Sequence, residues 1–148
     1  MKRNLLIMII LILILSISLS ACSTNELENV EKVEASFWIG NETQSEEVAF
    51  KEKEEVDVFV GATNNAKELD DQKVIKTPSV LTYDLIIAGS NNKGFHLWIT
   101  EDGEGFIQSL LPEDSLTYQL EKGSVKDVTN ILNKQVNLTL LPNIEFEK

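Results

Sequence analysis

Val80-Leu81-Thr82-Tyr83-Asp84-Leu85-Ile86-Ile87-Ala88-Gly89-Ser90-Asn91-Asn92-Lys93-Gly94-Phe95-His96-Leu97-Trp98-Ile99-Thr100 is the stretch on which the fold turns. Tyr83, Leu85 and Ile87 alternate with other residues, a run of Ser, Asn, Lys and Gly follows, and Phe95, Leu97 and Ile99 alternate back. Period-two apolar spacing on both sides of turn chemistry is the pattern of an antiparallel hairpin with one buried face. A three-residue loop of Asn91, Asn92 and Lys93 sets Ser90 opposite Gly94 and puts all six apolar residues on one side. A two-residue loop shifts the register by one and sets Leu85 and Ile87 against His96 and Trp98. Burial of the larger apolar set favours the first register. His96 and Trp98 then point away from the core.

Upstream, Glu31 to Gly40 alternates Val33, Ala35, Phe37 and Ile39 with Glu34, Ser36 and Trp38, which predicts a first strand. Val48 and Phe50 either begin a short second strand or dock a loop. The spacing of Val56, Phe59, Val60, Thr63 and Ala66 predicts a helix over Glu52 to Glu68, with acidic residues in its first turn and Gly61 against it. Leu69 to Pro78 reads as a loop. Downstream, Glu101-Asp102-Gly103-Glu104-Gly105 is a turn, and strands are expected at Phe106 to Leu111 and Leu116 to Leu120. Ser124 opens a second helix with Ser-Val-Lys-Asp in the manner of a capping box, and Val125, Val128, Ile131 and Leu132 form its apolar stripe. Val136, Leu138 and Leu140 alternate and suggest a last edge strand. The expected fold is α+β, a largely antiparallel sheet of four to six strands with two packed helices.

The N-terminus carries a different kind of signal. Lys2-Arg3, an unbroken apolar run from Leu5 to Leu15 and Leu19-Ser20-Ala21-Cys22 have the order of a secretory signal, too short in its apolar part for a spanning helix. Leu-Ser-Ala-Cys resembles the lipobox of bacterial lipoproteins, in which cleavage between Ala21 and Cys22 follows lipidation of the Cys22 thiol. That resemblance implies a diacylglyceryl anchor on Cys22 and an extracytoplasmic domain tethered to the cell membrane. The organisation is therefore a signal over residues 1–21, a lipidated tether over 22–30 and a single domain over 31–148. Lysine richness with little arginine, and many Asn and Ile, points to an A+T-rich genome and a Gram-positive cell.

Without residues 1–21 the chain keeps 127 residues, enough for one core, and all 24 acidic residues against 11 lysines, a net charge of −13. Such a surface repels nucleic acid and anionic headgroups, while basic proteins, peptides and cations stay possible partners. Cys22 is the only cysteine, so with its thiol committed to lipid none is left for a disulfide, a metal site or a nucleophile.

Tyr83-Asp84-Leu85, Gly94-Phe95-His96-Leu97-Trp98-Ile99, the Gly-containing turn and Thr117-Tyr118 resemble the YhfM-like domain of small lipoproteins from bacilli. The resemblance runs from about Val30 to Asn133. Gly89 stands where the family often has a larger residue, and Glu104-Gly105-Phe106 is a variable version of its turn. It implies the location and the fold, and it brings no biochemical activity with it.

Chemistry-bearing patterns are thin. His96 is the single histidine, so no multi-histidine metal site can form, and there is no Gly-x-Ser-x-Gly elbow or phosphate-cradling glycine loop. Asp70-Asp71 could hold a cation, though solvated loop acids are the favoured reading, and Glu101, Asp102 and Glu104 read as a solvated turn, since the ligand spacing of a calcium loop is missing. No catalytic residue, metal ligand or cofactor is expected. His96 and Trp98 form a candidate contact patch for a protein or peptide partner, with Trp38 on the same side of its own strand, unless a helix or loop covers that face. The leading reading is a membrane-anchored, non-catalytic binding or accessory domain. The other is a small extracytoplasmic enzyme using His96.

Overall fold

The computed structural model describes residues 27–39, 42–110 and 114–147, with the side chains of 38, 39 and 42–46 left aside. The expected signal, the Ala21–Cys22 cleavage site and most of the tether lie outside the described residues, as does the Trp38 side chain. Among the described residues, two helices and seven strands make the α+β fold, with more strands than the four to six expected. β1 (Val30–Ile39) and β2 (Glu42–Phe50) precede α1 (Lys53–Asn64), and β3 (Lys67–Glu68), β4 (Leu81–Ile87), β5 (Lys93–Ile99), β6 (Gly105–Ser109), β7 (Thr117–Gln119) and α2 (Lys122–Gln135) follow. They form one sheet in the order β2-β1-β4-β5-β6-β7-β3, with every neighbouring pair antiparallel.

The central hairpin keeps the expected faces and loses the expected loop. Asp84, not Ser90, lies opposite Gly94, and pairing stops at Leu85–Lys93. The shift is by an even number of residues, so side chains stay on their own faces. Beyond Leu85, β4 continues against β1, with Lys32 opposite Ile86 and Val30 opposite Ile87. Gly89 then turns the chain at φ 68°, a left-handed conformation that a larger side chain resists.

One face of the sheet carries the core. Val33, Ala35, Leu81, Tyr83, Leu85, Phe95, Leu97, Ile99 and Ile107 are buried with Val56, Phe59 and Ala62 of α1 and Val125, Val128, Ile131 and Leu132 of α2. Rings link strand to helix to strand: Phe50 to Phe59 at 5.1 Å between centroids, Phe59 to Tyr83 at 5.4 Å, Tyr83 to Phe95 at 5.3 Å. The Tyr83 hydroxyl shares a hydrogen bond of 2.8 Å with Thr63 Oγ1, and burial raises its pKa well above the usual phenol value. At Gly105 a Cβ would stand 2.6 Å from Val125 Cγ2, so the missing side chain lets α2 lie close on β6.

Three elements depart from expectation. α1 ends at Asn64, because Lys67 and Glu68 pair with Gln119 and Tyr118 of β7 as a short edge strand. α2 starts at Lys122 with Glu121 as N-cap, so Ser124 sits inside its first turn instead of capping it. The described residues after Val136 form no strand. Leu141 bridges Thr100, and Phe146 bridges Ile75.

Candidate functional site

His96 and Trp98 do leave the sheet on the side opposite Phe95 and Leu97, but that side is covered. The segment from β3 to β4 crosses it, and Trp98 Nε1 donates to the Thr77 carbonyl at 2.7 Å. Trp98 is only 4% exposed. The segment is itself tied down by the C-terminal stretch: Lys76 N donates to the Glu145 carbonyl, Glu147 N to the Val74 carbonyl, and Phe146 meets Phe106 edge-on at 5.5 Å. Trp98 is thus a second, small core beneath a strap, and the expectation of an exposed His96–Trp98 contact patch is corrected.

His96 is half-buried beside it. Its Nδ1 lies 2.9 Å from Thr82 Oγ1, its ring meets Trp98 edge-on at 5.8 Å, and burial lowers its pKa, which favours neutral imidazole. A shallow groove runs past His96 and Gln108 along the strap at Ile75 to Ser79. Further along the same face, Asp84 lies directly opposite Glu34 of β1. Burial first, and then the charges of Glu34 and Glu47, raise the Asp84 pKa. Glu34 is held by Lys32.

The other acids act locally. Asp102 accepts a hydrogen bond from Thr100 Oγ1, which in turn accepts from Glu104 N at 3.0 Å, so the turn closes on itself around Gly103. Asp71 lies 3.7 Å from Lys73. Among the described residues, no three His, Cys, Asp or Glu side chains gather closely enough to hold a metal ion, and no helix is long and apolar enough to cross a membrane.

The more capable feature is on the helix side, and sequence reasoning missed it. A cleft of about 370 Å³ opens where α1 stops. Phe95, Ile107 and Tyr118 line its sheet side, Thr63, Asn64 and Ala66 its helix side, and Lys93, Glu68 and Asp114 bring charge to it. A helix running on to Glu68 would have covered this end of the sheet. Instead the chain leaves α1 at Asn64 and crosses to the far edge, and a cleft remains with buried Phe95 and Ile107 at its base and half-buried Tyr118 beside them. Ser109 holds one lip: its Oγ donates to the Asp114 carbonyl and accepts from Leu116 N at 3.1 Å. Leu27 closes the other side, with its backbone N–H donating to Asn64 Oδ1 at 3.0 Å. A cleft of this size with an apolar floor and a few polar groups can hold a small organic ligand. The available signal was the break in apolar spacing after Ala66, which periodicity alone assigned to the end of the helix.

The YhfM protein family matches residues 29–137. The chain belongs to the YhfM family. The match spans β1 through the end of α2, and so includes the hairpin, both helices and the cleft. The strap over Trp98 falls within the YhfM match, and the 145–147 stretch that ties it down lies beyond it. No curated protein and no solved structure matches the chain.

Proposed function

We propose that this YhfM protein is a membrane-anchored extracytoplasmic binding or accessory domain, non-catalytic, held to the cell membrane of a Gram-positive cell through lipid on Cys22. The observation that carries the binding reading is the cleft at the end of α1, with its apolar floor of Phe95, Ile107 and Tyr118. The Lys2-to-Cys22 pattern supports the anchor. Leu27 is five residues beyond Cys22 and lies on the cleft rim, so an extended tether would keep the cleft within roughly 18 Å of the anchored residue. Such a site samples what is concentrated at the membrane surface. The alternative of an enzyme using His96 is less favoured, since that ring is half-buried, engaged with Thr82 and set edge-on to Trp98.

Lipid labelling tests the anchor. Cys22→Ala should abolish incorporation of labelled fatty acid and move the domain out of the membrane fraction, because two acyl chains at roughly 0.8 kcal/mol per buried CH₂ hold a protein that no chain would hold. Unchanged labelling of the variant overturns the anchoring.

A further inference from the structure

We infer that the cleft at the end of α1 binds a small amphipathic cation, an organic ammonium ion with an apolar ring or short alkyl body. This deepens the binding-domain reading and rests on it. Phe95, Ile107 and Tyr118 supply the apolar floor, and a volume of about 370 Å³ suits one ring with a short chain. The sign of the ligand follows from three features around that floor.

Glu68 and Asp114 are exposed at the cleft, and among the described residues Lys93 is the only basic one lining it. Among the described residues, no lysine pairs with either carboxylate. Each is placed by backbone structure, Glu68 by its position opposite Tyr118 in the β3–β7 ladder and Asp114 by the Ser109 hydrogen bond to its carbonyl. The second feature is α1 itself. Its C-terminal end, which carries partial negative charge, forms one wall, and there is no basic residue in its last turn. The third is long-range. A chain with formal net charge −11, or −13 after loss of residues 1–21, raises the local concentration of cations and repels anions. One half-buried ammonium does not outweigh two carboxylates and a helix end. The ligand's apolar body lies on the floor, and its ammonium faces Glu68 and Asp114.

The test is equilibrium binding to the full lipidated chain in nanodiscs of phosphatidylcholine, with empty discs subtracted. Three probes of one shape differ in charge: phenethylammonium, neutral phenethyl alcohol and phenylacetate. Phenethylammonium should bind one per chain and most tightly, and its affinity should fall with salt. Glu68→Gln with Asp114→Asn, both at exposed positions, should weaken it about fivefold to tenfold and leave phenethyl alcohol unchanged. Lys93→Gln should tighten it. Circular dichroism on each variant confirms that the fold is retained. Equal or tighter binding of phenylacetate, or a cation affinity unchanged in the double variant, overturns the cation assignment and leaves a ligand-binding cleft standing. Failure of all three probes to bind the unaltered chain overturns the cleft as a ligand site, and the cation assignment with it.

Discussion

Replacing Trp98 tests whether the outer face of the hairpin is a second core or a contact surface. Trp98 is almost wholly buried between the sheet and the strap, and its indole N–H satisfies the Thr77 carbonyl. Truncation of a buried Trp to Ala costs about 3–5 kcal/mol through lost transfer energy and the void left behind. Trp98→Phe keeps an apolar ring in the slot and removes the donor, so it should cost about 0.5–1.5 kcal/mol for the hydrogen bond and somewhat more for the lost ring area. Urea unfolding followed by far-UV circular dichroism separates the two, provided the slope with denaturant stays constant, so that a shift in midpoint reports stability. Iodide should quench Trp98 fluorescence poorly in a Trp38→Phe background. A Trp98→Ala variant destabilised by less than about 1 kcal/mol, in the range of ordinary surface changes, would refute the strap as a packed element.

Three further outcomes follow from neighbouring contacts. Phe146→Ala should cost about 0.5–1.5 kcal/mol for the ring pair with Phe106 and make Trp98 more accessible to iodide, because the C-terminal stretch holds the strap in place. Gly105→Ala should destabilise by about 1–3 kcal/mol in denaturant unfolding, since the new methyl group meets Val125 and Leu120 in a filled interface. Asp84 has a pKa raised by burial and by Glu34 and Glu47, so the folded state holds its proton more tightly than the unfolded state. Stability should therefore fall as pH rises from the ordinary carboxylate range through the raised value. Asp84→Asn should remove that part of the pH dependence and raise the neutral-pH midpoint; an unchanged pH profile would count against a raised Asp84 pKa, whose first cause is burial.

What the amino-acid sequence determined by itself is the set of faces. Period-two spacing in Val33–Phe37, Tyr83–Leu85 and Phe95–Ile99, and the stripe Val125, Val128, Ile131 and Leu132, named most of the buried residues correctly, because strand parity and helical spacing are local properties. The family was legible for a similar reason, since most of the residues that carried the resemblance sit in the hairpin. The hairpin register was not legible. An even shift leaves every face unchanged, so only the competing ladder with β1 decides where β4 and β5 stop pairing. Nor was the end of α1. Ala66 continues the helical spacing, yet pairing of Lys67 and Glu68 with β7 draws the chain away and opens the cleft. Trp98 shows the same limit from the other side. Alternation placed its ring away from the main core, and only the docking of the 74–77 and 145–147 segments, distant in sequence, decided that it would be buried.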